Sequence, residues 1–201
     1  EWETQDWNAM LPARQRVFEK QWAYLWQHSK YYRKTLSAAG LRADRCPSLA
    51  DLSDVPFTWK DDFRASQERE PPFGEHLAAD RSSLRQIQTS SGTTGRPMAI
   101  AFTAADAEAS SEILRRGYVS IGFRPGDTVL HAFSMSRAWI GGLCMVEGYL
   151  RMGAIVLPIG AEAGRDKILE TMQMFHPNCI GATPGFLLNL GFRAQELGID
   201  P

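Results

Sequence analysis

The sequence predicts an α/β protein in which a helical N-terminal segment precedes a mostly parallel sheet with helices on both faces. Two observations carry this. Apolar residues recur at three- and four-residue steps early in the chain, which is the period of a helix face. From residue 128 onward short, wholly apolar runs alternate with helical patterns, and strands apolar on both faces belong to parallel sheets covered from both sides. The expected division is residues 1–80 for the helical segment and 81–201 for the α/β portion.

The elements follow in order. A first helix is expected to open at Pro12, whose missing N–H is no loss in a first turn, and to carry Phe18, Trp22, Leu25 and Trp26 on one face. A second covers residues 31–39 and stops at Gly40. Ser48-Leu-Ala-Asp51 fits a short helix with a capping-box-like start, and Val55-Pro-Phe57 reads as extended. Asp61 and Asp62 beside Lys60 read as a solvated helix start, and Pro71-Pro-Phe-Gly74 as a loop. Residues 84–89 and 98–103 read as strands. Thr103-x-x-Asp106 then offers a capping box for a helix reaching about Gly122, with Ile113, Leu114, Tyr118 and Ile121 on its inner side. Strands are expected at 128–132, 154–157 and 178–181, and helices at 140–151, 166–175 and 184–197. The helix at 166–175 carries Ile168, Leu169, Met172 and Phe175.

Composition excludes several function classes. The 201 residues are 44% hydrophobic, ample for a packed core. With 22 Lys+Arg against 23 Asp+Glu the net charge is −1, which lacks the basic surplus of a nucleic-acid binder. No apolar run approaches the roughly 18–20 residues that span a bilayer, and Glu1-Trp-Glu-Thr4 has no signal-peptide character, so a cytoplasmic protein is expected. Cys46, Cys144 and Cys179 are odd in number and unpaired in spacing, which suits inert buried thiols better than a disulfide frame or zinc site. His28, His76, His131 and His176 show no ligand spacing, and only His131, at a strand end, falls beside the expected pocket. No GxSxG elbow supports a hydrolase. The Trp-rich first helix reads as a core-packing or subunit-contact face.

The chemistry concentrates in Ser90-Ser91-Gly92-Thr93-Thr94-Gly95-Arg96-Pro97. Gly92 and Gly95 allow tight turns and close approach of the backbone to a ligand. Ser90, Ser91, Thr93 and Thr94 supply four hydroxyls, successive amides can form an anion-binding concavity, and Arg96 adds a fixed positive charge. The spacing is neither a Walker A loop nor a GxGxxG fingerprint, and composition alone leaves a plain Ser/Gly/Thr hairpin turn open.

The unbroken eight-residue string resembles the phosphate-binding signature of the adenylate-forming enzymes: acyl- and aryl-CoA ligases, peptide-synthetase adenylation domains and luciferases. The flanking segments narrow the resemblance to phenylacetate–CoA ligases and their relatives. They are Val55-Pro-Phe-Thr-Trp-Lys-Asp-Asp-Phe63, Pro72-Phe-Gly74, Phe123-Arg-Pro-Gly-Asp127, Gly141-Gly142, Arg151-Met-Gly-Ala-Ile-Val156 and Ala182-Thr-Pro-Gly185. Ser134-Met-Ser-Arg-Ala138 departs from the family, replacing a Gly/Tyr-rich stretch and reading one residue longer.

The resemblance implies part of a large N-terminal AMP-binding domain. It implies an acid activated by ATP to an acyl-adenylate and passed to coenzyme A, with Mg²⁺ accompanying ATP. Ser90, Ser91, Gly92, Thr93, Thr94, Gly95 and Arg96 would embrace the triphosphate, with Thr93 or Thr94 reaching Mg²⁺. Phe133, Trp139, Ile140, Gly141, Gly142, Thr183, Pro184 and Gly185 would build the acyl pocket. The family's catalytic Lys and C-terminal lid domain would follow Pro201, so an N-terminal fragment, inactive alone, is expected. The partners implied are a small carboxylic acid, ATP and CoA, with a homodimer allowed and neither nucleic acid nor membrane. Transfer to an amine or carrier-protein thiol, and a non-catalytic nucleotide-binding or interaction module, stand as alternatives.

Overall fold

A computed structural model describes residues 4–90 and 97–199. The chain divides into two compact units, Glu1–Ser83 and Leu84–Pro201.

The first unit is helical. Helix α1 spans Trp7–His28, so it begins before Pro12. Asp6 sets the start, because its carboxylate accepts from Asn8 N at 2.9 Å and Ala9 N at 3.2 Å and sits at the positive end of the helix dipole. Pro12 therefore lies inside the helix, which forgoes the one hydrogen bond a proline cannot donate. Trp22 anchors the apolar face: its ring centroid is 6.0 Å from those of both Phe18 and Trp26, and its indole N–H donates to the Arg42 carbonyl at 3.2 Å. Helix α2, Lys30–Ala38, ends with Leu41 N donating to Leu36 O and Gly40 N to Ser37 O, while Gly40 takes a φ of 75°. That pairing satisfies the last carbonyls and needs a residue without a Cβ penalty. A 3-10 helix at Leu49–Asp54 follows, with Ser48 Oγ donating to Asp51 Oδ2 at 2.7 Å. Helix α3 is Lys60–Arg69, and the Asp62 carboxylate accepts from Trp59 N at 2.8 Å.

The second unit opens with an antiparallel hairpin of β1, Leu84–Thr89, and β2, Ala99–Thr103. Both halves of the expected capping box are present: Thr103 Oγ1 accepts from Asp106 N, and Asp106 Oδ2 accepts from Thr103 N. They start helix α4, Ala104–Ser120. Its buried stripe is Ala107, Ser111 and Tyr118, with Leu114 packed beside them. Ile113 and Ile121 are instead 69% and 71% exposed. They lie eight residues apart on a face that the i, i+4, i+7, i+11 stripe turns away from the core.

Strand β3 (Thr128–His131), helix α5 (Ile140–Met152), β4 (Ile155–Leu157), α6 (Arg165–Phe175), β5 (Cys179–Gly181) and α7 (Pro184–Glu196) complete the unit. The three strands are parallel in the order β4-β3-β5. Helices cover both faces, as the wholly apolar strands imply: Val129 packs with Tyr118 and Tyr149, and Leu130 with Ile168, Leu169 and Leu190. Of the four apolar residues expected on this helix, Ile168 and Leu169 are buried, whereas Phe175, its last residue, is 53% exposed. Since the strands run the same way, His131, Leu157 and Gly181 all point their following connections to one edge.

Candidate active site

At that edge lies a cavity of about 640 Å³. Its walls come from the residues after β3 (Ala132, Phe133), after β4 (Ala161, Glu162) and after β5 (Thr183), together with Ser90 and Pro97 of the hairpin. Open α/β sheets bind ligands outside the carboxyl ends of their strands, so the position is the one the topology favours.

Of the residues singled out in the sequence, Phe133, Trp139 and Thr183 line this cavity, and Ser90 stands at its rim. Ser91, Gly92, Thr93, Thr94, Gly95 and Arg96 lie outside the described residues. Ile140, Gly141 and Gly142 open α5, and Pro184 and Gly185 open α7; none of the five lines the wall. The glycines act from behind it. A Cβ on Gly141 would collide with the Trp139 ring, and one on Gly142 would meet the Ser134 carbonyl at 2.9 Å. The pair thus lets the segment after β3 lie directly on the first turn of α5.

Ser90 is tied to the far side of the loop. Its amide donates to the Met98 carbonyl at 3.0 Å, and its Oγ accepts from Met98 N at 3.1 Å. The hydroxyl hydrogen remains for another acceptor. Thr183 caps α7, its Oγ1 accepting from Phe186 N at 3.4 Å, and Phe186 adds a third aromatic side chain to the cavity.

The cavity is also lined by Ser134, Ser136 and Arg137 of the stretch that departs from the family, and by Glu162, which the sequence reading did not name. Glu162 sits on the one-turn 3-10 helix Ala161–Ala163 and faces the segment after β3 across the cavity mouth. Its carboxylate accepts from Ser134 Oγ, from Ser136 N at 3.0 Å and from Met135 N at 3.2 Å. These donors, the Ser134 hydroxyl first, hold its pKa down to about 2. The oddity of Ser134-Met-Ser-Arg-Ala138 within the resemblance was the available clue, because two of Glu162's three donors are serines of that stretch.

The same stretch ends in a strained turn. Arg137 and Ala138 have φ of 57° and 52°, a region costing roughly 1–2 kcal/mol for a residue with a Cβ. Both of their carbonyls are engaged by Thr89, the last residue of β1. Thr89 Oγ1 donates to Arg137 O at 2.8 Å, and Thr89 N donates to Ala138 O at 2.7 Å.

His131, fully buried at the end of β3, has neither ring nitrogen hydrogen-bonded among the described residues. Burial lowers its pKa and so favours the neutral imidazole, an effect partly offset by the nearby Glu162 charge. Among the described residues no three His, Cys, Asp or Glu side chains converge on a metal-ion site. The three cysteines are free, and burial pushes the thiols of Cys46 and Cys179 up. Cys144 is buried as expected, beside the Gln88 side-chain amide, whereas Cys46 and Cys179 are only half-buried, and the Cys179 Sγ lies 3.6 Å from an Asp127 carboxylate oxygen. No helix among the described residues is long and apolar enough to cross a membrane.

Known proteins are similar to this chain in sequence and in fold. The phenylacetate-coenzyme A ligase of Aromatoleum evansii is 32% identical over 178 residues, covering 89% of this chain and 39% of that protein. The phenylacetate-coenzyme A ligase of Thermus thermophilus is 30% identical over 179 residues, with the same two coverages of 89% and 39%. The chain thus spans about two fifths of the length of the curated relatives it matches. Among solved structures, a 2-hydroxyisobutyryl-CoA ligase in complex with 2-HIB-AMP and CoA superposes with a TM-score of 0.92 at 29% identity, over 98% of this chain and 42% of that one. The AMP-binding enzyme profile matches residues 24–198, and by that match over most of its length this chain belongs to the AMP-binding enzyme family.

Proposed function

We propose that this chain forms the phosphate-segment and acid-cavity portion of an ATP-dependent, AMP-forming carboxylic acid–CoA ligase, whose substrate is phenylacetate or a related acid. The observation that carries the reading is the cavity at the carboxyl ends of β3 and β5, with Ser90 and Pro97 in its lining. Ser90 and Pro97, the described ends of the hydroxyl- and glycine-rich segment, thus border an apolar-walled space large enough for a small acid, which supports the reading. Relatives named as phenylacetate-coenzyme A ligases support the choice of acid and acceptor.

The chemical obstacle is charge, since a carboxylate must attack the α-phosphate of a polyanion. In this reading Ser90, Ser91, Thr93 and Thr94 donate to the triphosphate, Gly92 and Gly95 admit it to the backbone amides, and Arg96 offsets its charge. Mg²⁺ enters as the counter-ion of the triphosphate, with Thr93 or Thr94 as the hydroxyl nearest it. Phe133, Trp139 and Phe186 hold the acid's apolar body and exclude water, and the Thr183 hydroxyl stands at the polar end. In this reading the enzyme works in the cytoplasm, where ATP and CoA are available to it.

ATP–pyrophosphate exchange by the complete polypeptide, with a panel that includes phenylacetate, benzoate and 2-hydroxyisobutyrate, tests the proposal. Exchange stimulated by an aryl acid is the expected result, and no exchange with any acid overturns it. CoA and a holo-carrier protein, compared as acceptors, decide between thioester formation on CoA and transfer to a carrier.

A further inference from the structure

We propose that Thr89 is a positioning residue that ties the wall of the acid cavity to the phosphate segment, so that an anion on one side is felt on the other. The proposal rests on the assignment of residues 90–96 to the triphosphate made above.

The wall in question is the stretch 133–139 between β3 and α5, which presents Phe133, Arg137 and Trp139 to the cavity. It is fastened at two places. At its start Glu162 collects the Ser134 hydroxyl and the amides of Met135 and Ser136. At its end Thr89 donates from its amide and from its hydroxyl to the carbonyls of two consecutive residues, Ala138 and Arg137. Those two are the only adjacent non-glycine residues at positive φ among the described residues. Such a conformation persists only where the surroundings over-determine it. Thr89 supplies that determination from outside the turn, and it also pairs as a parallel bridge with Trp139.

The other side of Thr89 is Ser90, the first residue of the phosphate segment. Ser90 and Met98 close the base of that segment with two hydrogen bonds, Ser90 N to Met98 O and Met98 N to Ser90 Oγ. A displacement at this base therefore has a short, bonded route through Thr89 to the Arg137–Ala138 turn and the Trp139 ring. No flexible linker intervenes. The wall has discrete conformational options, because Arg137 and Ala138 lose strain if they leave the left-handed region. Loss of the Thr89 hydroxyl removes the bond to Arg137 and leaves the turn held by one amide alone.

The complete polypeptide labelled with 5-fluorotryptophan reports on this directly. Trp139 is the only tryptophan in the second unit, and Trp139→Phe assigns its ¹⁹F signal. Inorganic tripolyphosphate serves as the probe, with its binding followed in parallel by calorimetry. The Trp139 signal is expected to shift on saturation in the parent and in Thr89→Ser. In Thr89→Val, which keeps the amide but not the hydroxyl, the shift is lost while tripolyphosphate still binds. Adding Ala138→Gly to Thr89→Val restores the shift, since glycine takes the left-handed conformation without support. A parent whose Trp139 signal stays still while tripolyphosphate binds overturns the coupling and leaves the phosphate assignment standing. So does a Thr89→Val protein that responds like the parent. Absence of tripolyphosphate binding in the parent overturns the phosphate assignment itself, and the coupling with it.

Discussion

Val129 and Leu130 are neighbours on β3, both without exposed surface, and they belong to opposite cores: Val129 packs with Tyr118 and Tyr149, Leu130 with Ile168, Leu169 and Leu190. The central strand is thus the single wall shared by two helix layers. Leu130→Ala is expected to lower the stability of the second unit by about 2–5 kcal/mol, the usual range for opening a cavity in a packed core. Urea unfolding followed by circular dichroism measures it; a change near zero would show that α6 and α7 do not bear on the sheet.

Stability should also fall with acidity below neutral. His76 is stacked between Tyr31 at 3.7 Å and Phe63 at 3.9 Å, and His131 is fully buried. Burial lowers both pKa values from the ordinary 6.5; nearby Asp62 and Glu75 oppose this at His76, and Glu162 at His131. The unfolded chain therefore binds these protons first. The stabilisation is whole above pH 6.5 and is lost as pH drops through the folded values. Melting temperatures between pH 8 and pH 5 should fall, and His131→Asn together with His76→Asn should flatten the curve.

How much of this could be read in the residues differs by element. The capping box at Thr103 and Asp106, the alternating strand ending at Thr89 and the wholly apolar β3 are local signals, and the structure keeps them. The start of α1 was hidden because Asp6 is only one of several polar residues before Pro12, and a cap depends on geometry that spacing does not reveal. Hydrophobicity alone points the inner face of α4 toward Ile113 and Ile121, whereas the buried stripe runs through the smaller Ala107 and Ser111, which allow closer packing. In the cavity, Phe133, Trp139 and Thr183 were legible through the resemblance. Glu162 was not, since its partners lie 26 to 28 residues away in sequence.

The Glu162 carboxyl is expected to titrate at about 2 rather than at 4.5, because three donors favour its charged form. Its contribution is then present above 4.5 and lost as pH falls toward 2. Carbon-detected NMR of the side chain measures the value. In Glu162→Gln, amide hydrogen exchange at Met135 should quicken more than at Ser136, since the remaining side-chain oxygen can keep Ser134 and Ser136 while the nitrogen facing Met135 cannot accept.

Thr103→Ala should destabilise α4 by about 1 kcal/mol, the common worth of an N-cap hydroxyl. Asp106→Asn should cost less, because the neutral amide oxygen can still accept from Thr103 N. Thermal unfolding of the two variants side by side gives the order.

Within the proposed reaction, Trp139→Ala should raise the KM for the acid more than the KM for ATP, because its ring lines the cavity. Equal effects on both substrates would argue that the ring serves the wall as a whole. Steady-state exchange kinetics at varied acid and ATP separate the two.

The three parallel strands end at one edge, and each hands a short connection to the cavity. The layers that keep the protein folded and the segments that meet the ligand are therefore different sets of residues. Exchanging side chains between 133 and 139 can redraw the shape of the binding space while Val129, Leu130 and their helices keep their places. If the proposed acid is bound there, a new preference is within reach of a handful of changes, made without renegotiating the architecture.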